Sequence, residues 1–139
     1  MGSQTATNDP DLGVWSYQYF DDGSLKQRTD ANSVVTNCTY DALGRPLTRT
    51  YVGSTYGGPV TYTYDTCQIG TCTVGQIGHI TKSTHLTGGG EDKYRYDARG
   101  RVETEEHTIN LTTYTMSHGY DAMDREISTT YPGAEDRRA

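Results

Sequence analysis

The chain is poor in the residues that usually fill a thick core. Of its 139 residues one is phenylalanine, one is tryptophan and three are methionine, and hydrophobic residues make up 32%. Mean hydropathy is −0.78. A conventional interior uses more Leu, Ile and Phe, so a deep core is excluded. No apolar run reaches the roughly 18 residues that a membrane-spanning helix needs. Basic residues are also few: 12 Lys and Arg stand against 18 Asp and Glu, for a net charge of −6. Nucleic-acid binding is excluded, because neutralising phosphates takes clustered Lys and Arg. The opening MGSQTATNDP lacks the charged and apolar regions of a signal peptide. Met1–Ser3 reads as an expression remnant on an excised piece. No HExxH, G-x-S-x-G, P-loop or EF-hand loop occurs. His79, His85, His107 and His118 fall in separate segments, and Ser117 and His118 are adjacent, so a strand points them to opposite faces. No enzymatic activity, metal ion or cofactor is expected.

What the chain does have is tyrosine and a repeat. Twelve of its fourteen aromatic residues are tyrosine, which joins a large apolar ring to a polar tip and suits a thin sheet. The stretch YDALGR (Tyr40, Asp41, Gly44, Arg45) returns as YDARGR (Tyr96, Asp97, Gly100, Arg101) and YDAMDR (Tyr120, Asp121, Arg125). A looser copy, YFDDGS, starts at Tyr19 and holds Gly23. Another starts at Tyr64-Asp65 and reaches its glycine only at Gly78. Asp at the first position of a type I turn bonds the amides ahead of it. Glycine three residues on accepts positive φ without steric cost. A type I turn followed by a left-handed residue is a common hairpin connection with a bulge. Each copy is therefore read as a hairpin tip. Asp124 replaces glycine in the last copy, and Asp tolerates the left-handed region.

Before each tip the tyrosines stand two apart: Tyr17 and Tyr19, Tyr62 and Tyr64, Tyr94 and Tyr96. Residues two apart share one face of a strand. Trp15 extends the first row, and Tyr114, Met116, His118 and Tyr120 make another. The segments after the tips, such as PLTRTY and EISTTY, are rich in threonine and β-prone. The repeat tyrosines are spaced by 21, 24, 32 and 24 residues. Twelve residues separate Asp65 from Gly78 where other copies have two, an insertion of ten. Without it the long spacing falls to 22.

The copies resemble the YD repeat of Rhs and YD-repeat proteins, the class that includes bacterial Rhs polymorphic toxins, the C components of ABC-type toxin complexes and teneurins. The matching residues are Tyr40-Asp41, Gly44-Arg45, Tyr96-Asp97, Gly100-Arg101, Tyr120-Asp121 and Arg125, and the opening DPDLGVWSYQYFDDGSLKQRTDANS looks like the lead into such repeats. The resemblance covers about residues 9–132. It implies a curved, spiralling sheet of consecutive antiparallel hairpins, a fragment of a hollow shell around toxin cargo or of a surface fibre, secreted or at the cell surface. Self-cleaving relatives carry an aspartate motif after the last repeat. Asp9-Pro10-Asp11-Leu12-Gly13 precedes the repeats instead, so no protease activity is assigned.

Cys67 and Cys72 lie in the insertion. A redox pair and half a metal site are alternatives, although four intervening residues are not C-x-x-C and two cysteines fall short of a metal site. Members of the resembled family are largely exported, and the resemblance thus implies a local disulfide. Cys38 is expected as a small buried residue. Arg45, Arg101 and Arg125 are expected to pack over a tyrosine or bond the turn acid. Asp21, Asp22, Asp30 and Asn32 read as turn formers, Gly88–Asp92 as an isolated half of a calcium-binding repeat, and Asn37 and Asn110 as unused glycosylation sequons.

The chain is thus expected to be all-β: a tag remnant and disordered lead-in over 1–11, five hairpin repeats over 12–132 with an inserted loop at 66–77 that decorates one tip, and a charged tail at 133–139. Its expected partners are neighbouring repeats of a parent chain, a second copy through sheet edges, and cargo or a glycan. Two functions fit: a non-catalytic structural segment, or a carbohydrate- or receptor-binding module that stacks sugars on Trp15, Tyr17, Tyr62, Tyr94 and Tyr114.

Overall fold

A computed structural model describes residues 5–54, 57–72, 74–85 and 89–133. They form eleven strands: β1 Ala6–Asp9, β2 Gly13–Tyr19, β3 Leu25–Thr29, β4 Val35–Tyr40, β5 Pro46–Val52, β6 Val60–Tyr64, β7 Ile80–His85, β8 Gly90–Tyr96, β9 Val102–Ile109, β10 Thr112–Tyr120 and β11 Glu126–Thr130. The described residues contain no α-helix; one 3-10 turn, Val74–Gln76, lies in the insertion. Strand order in the sheet follows chain order, and the paired strands are antiparallel neighbours. The fold is the expected all-β run of consecutive hairpins. By internal packing the chain divides within β6 into two units, one holding β1 to β5 and one holding most of β7 to β11.

Strand pleat explains the face pattern. Along β2, Trp15, Tyr17 and Tyr19 are half-buried while Val14, Ser16 and Gln18 are exposed. On β4 the buried face holds Thr36 and Cys38. The interior is thin. Among the described residues only Cys38 and Tyr96 are buried apolar side chains, and Thr36, Gln76, Thr81 and Thr104 are buried polar ones. Thr81 satisfies its hydroxyl on the Thr63 carbonyl at 3.2 Å. Leu43 and Met123, at the tips, are 77% exposed.

Two expectations change. The polar lead-in over 1–11 contains a strand, since Ala6–Asp9 pairs with Ser16–Gly13. The Asp9 carboxylate makes the connection by accepting from the amides of Asp11 and Leu12, each at 2.9 Å. ATND has no apolar alternation, and its pairing comes from the open edge of β2. The insertion also does more than decorate its tip, as described below. Residues 1–4 and 134–139 and the residues Thr55, Tyr56, Thr73 and Leu86–Gly88 lie outside the described set, so the remnant, most of the tail and the start of Gly88–Asp92 fall there.

Candidate functional site

The tips share one local device. Asp41 donates its amide to the Arg45 carbonyl at 2.9 Å, and the Gly44 amide donates to the Asp41 carbonyl at 3.0 Å. Asp41 Oδ1 accepts from the amides of Leu43 and Arg45, each at 2.9 Å, and Oδ2 from Arg45 Nε at 2.7 Å. Asp97 repeats this with Arg99 and Arg101 at 2.8, 3.0 and 2.7 Å. Asp121 does so with Met123 and Arg125 at 2.9, 3.0 and 2.7 Å. Backbone donation from Arg45 and from Arg125 holds the Asp41 and Asp121 carboxyls below the usual carboxylate range. At Asp97 burial pushes upward, but the Arg101 bonds outweigh it and the carboxyl is again lowered. The left-handed position is filled by Gly44 at φ 77°, Gly100 at 78° and Asp124 at 64°. A bulge precedes each tip, between Thr39 and Tyr40, Arg95 and Tyr96, and Gly119 and Tyr120.

Two tips vary the device. In the first, the Phe20 amide bonds the Ser24 carbonyl and the Gly23 amide bonds the Phe20 carbonyl, each at 2.9 Å. Phe20 therefore stands where other tips carry Asp, and Ser24 where they carry Arg. In the inserted tip the Asp65 amide bonds the His79 carbonyl at 3.2 Å and the Gly78 amide bonds Asp65 Oδ1 at 2.7 Å. Gly78, at φ 87°, takes the glycine position and His79 the arginine position.

Successive tips are bolted together by the repeat tyrosine. Tyr40 donates its hydroxyl to the Leu25 carbonyl at 3.0 Å, Tyr96 to Ile80 at 2.7 Å and Tyr120 to Val102 at 2.8 Å. Each acceptor lies two residues past the preceding tip glycine. Burial raises the pKa of all three hydroxyls. The residue after that glycine covers the next ring: His79 stacks on Tyr96 at 4.4 Å, and the Arg101 guanidinium sits 4.5 Å over Tyr120. Asp124 adds a contact that its turn role did not reveal. Its Oδ1 accepts from Arg99 Nη1 at 2.5 Å and Arg101 Nη1 at 2.8 Å.

The insertion packs on the following tip. Cys67 and Cys72 form a disulfide with Cα atoms 5.6 Å apart, and Cys38 is a free, buried thiol. Gln76, 3% exposed, donates from Nε2 to the Tyr96 carbonyl at 2.8 Å. A Cβ on Gly75 would fall 1.6 Å from the Asp97 carbonyl oxygen. The insertion, expected to decorate its own tip, thus also packs on the backbone of Tyr96 and Asp97. Length and glycine content signalled a loop, but only the fold shows what it touches.

The tyrosine rows are partly occupied by neighbours. The Arg28 guanidinium lies 5.0 Å over Trp15, whose Nε1 donates to the Leu12 carbonyl at 3.0 Å. Tyr17 and Tyr62 are half-buried. Tyr94 lies 6.5 Å from Tyr96 and edge-on to His107 at 6.4 Å. Tyr114 is 45% exposed. Histidines that are distant in sequence meet acids across the strands. His107 Nδ1 lies 2.7 Å from Asp92 Oδ1, while His118 sits between Glu126 at 3.0 Å and Glu105 at 3.2 Å. The Glu126 bond leads in raising the His118 pKa, with help from Glu105 and against burial. The described residues hold no group of three or more His, Cys, Asp or Glu placed to hold a metal ion.

No protein-family profile matches the chain, and no curated protein does. Solved structures do match in fold. The crystal structure of TcdB2-TccC3 superposes with a TM-score of 0.72 at 14% identity over 94% of this chain. Those of TcdB2-TccC3-TEV and TcdB2-TccC3-Cdc42 each give 0.69 at 14% identity over 91%. This chain spans only 7–8% of the length of those chains. At that identity the likeness is one of fold alone: a run of consecutive antiparallel hairpins that matches a small part of a much larger chain.

Proposed function

We propose that this chain is a non-catalytic structural segment of a YD-repeat protein, one stretch of a β-wall that encloses toxin cargo or forms part of a surface fibre outside the cell. The observation that carries this reading is the bolting of consecutive tips by Tyr40, Tyr96 and Tyr120 onto preceding backbone carbonyls. Such bonds join repeat to repeat, as the interfaces of stacked-repeat proteins do. The fold likeness to TcdB2-TccC3 supports it, as does the disulfide, which persists in oxidising surroundings. Its partners are then neighbouring repeats of the parent chain, with association through sheet edges as a secondary route.

The competing reading is a glycan- or receptor-binding module, and the two are separated by a glycan-array screen with melting curves. The structural reading expects no saturable glycan binding, and a lowered melting temperature for Tyr96→Phe and Tyr120→Phe. Saturable binding that is lost in Trp15→Ala or Tyr114→Ala would sink it.

A further inference from the structure

The first two tips depart from the repeat in a way that leaves a defined cleft. Where Arg101 covers Tyr120 and His79 covers Tyr96, the equivalent position before Tyr40 is Ser24. Its short side chain turns instead to Asp22, donating from Oγ to Oδ1 at 2.6 Å. Phe20 meets the Tyr40 ring edge-on at 6.3 Å. The result is an open cleft of about 400 Å³ lined by Phe20, Asp21, Asp22, Ser24, Tyr40 and Asp41, a size within the range of roughly 300–1,000 Å³ typical of small-ligand sites.

We propose that this cleft is a guanidinium-binding site, which takes from outside the cation that the sister tip supplies from within. At that sister tip, Arg101 shows what such a ring and turn recognise. Its guanidinium lies on the Tyr120 face, and its Nη1 reaches the Asp121 carbonyl at 3.4 Å and the Asp124 carboxylate at 2.8 Å. Around Tyr40 the ring and the Asp41 carbonyl correspond to the first two of these, and Asp21 and Asp22 supply the negative charge. The Ser24 hydroxyl, and then the Ser24 amide, hold the Asp22 carboxyl below the usual carboxylate range. The Asp41 carboxylate is already matched by Arg45 at 2.7 Å. Lys26 Nζ is a nearby cation, 5.8 Å over the Phe20 ring, but it is not part of the cleft lining. A planar guanidinium suits this site better than an ammonium, because it stacks on a ring and donates from its edge at once.

The test titrates N-acetyl-arginine amide into the full chain and follows the backbone resonances of Phe20, Ser24 and Tyr40 by NMR. Saturation with a Kd on the order of a millimolar is expected for a ligand of this size, with no saturable response to the uncharged isostere N-acetyl-citrulline amide. Agmatine and an Ala-Gly-Arg-Gly-Ala peptide, run in parallel, separate the two sources of the group: tighter agmatine binding assigns the site to small free guanidines, tighter peptide binding to a protein's arginine. Asp22→Asn, which keeps the oxygen that accepts from Ser24, should weaken binding at least about threefold by removing charge alone. Ser24→Arg should fill the cleft from within, abolish the shifts and leave the melting temperature equal or higher. Equal response to citrulline amide, no saturable shift at these residues, or undiminished binding in Ser24→Arg would overturn the proposal.

Discussion

Gly75→Ala is the sharpest test of whether the inserted loop is part of the structure. The added Cβ would sit 1.6 Å from the Asp97 carbonyl oxygen and 2.7 Å from its carbon. The obstacle is backbone, and that backbone is pinned by the Asp97–Arg101 clasp at 2.7 Å, so it cannot rotate aside as a side chain would. The loop must lift instead. Lifting breaks the bond from Gln76 to the Tyr96 carbonyl, worth about 1 kcal/mol net. Together with overpacking costs of about 1–3 kcal/mol, a loss of roughly 2–4 kcal/mol is expected, or about 8–16 °C in melting temperature for a domain of this length. Val74→Ala is the matched control: Val74 is 78% exposed and should change stability by less than about 0.5 kcal/mol. Thermal melts read the magnitude, and hydrogen exchange locates it, with amides at residues 96–101 losing protection in Gly75→Ala only. For the same reason, replacing Thr66–Ile77 by Ala-Leu should lower the melting temperature. A Gly75→Ala protein that melts within about 2 °C of the parent, with unchanged exchange, would refute the packing of the loop on the next tip.

Other outcomes follow from the tips and the strand faces. His118 has a folded pKa raised by Glu126 and Glu105. Its contribution should therefore be complete below the unfolded histidine pKa of about 6.5 and be lost as pH rises through the folded value; His118→Gln should flatten melts across that window, and an unchanged profile would exclude the pairing. Gly44→Ala should cost about 1–2 kcal/mol from backbone strain alone, since a Cβ there meets nothing within 4 Å, whereas in Gly100→Ala it also meets His79 Nε2 at 2.8 Å, so a larger loss is expected in urea melts. Asp124→Gly relieves left-handed strain but removes the partner of Arg99 and Arg101; relative to the parent it should gain stability as salt is raised, and salt-independence would mean that these ion pairs are idle. Intact-mass measurement after alkylation should find one blocked thiol before reduction and three after, and reduction should cost at most about 2 kcal/mol for so short a loop.

The sequence by itself determined the tips, because their physics is local. An aspartate that caps amides two and four residues ahead, followed by a residue able to hold positive φ, specifies the same turn at Asp41, Asp97 and Asp121 whatever surrounds it. The alternating tyrosines likewise set the strand faces, and Gly78-His79-Ile80 marked the return from the insertion. Tertiary structure decided whatever depended on pairing between distant segments. β1 has no pattern of its own and exists because β2 offers an edge. Gly75 looks like an ordinary loop glycine until it is set against the Asp97 carbonyl. The carboxylate of Asp124 meets Arg99 and Arg101 only after β9 and β10 pair. Glu105 and His118 are thirteen residues apart in the chain and become neighbours through the same antiparallel register, which no local residue spacing encodes.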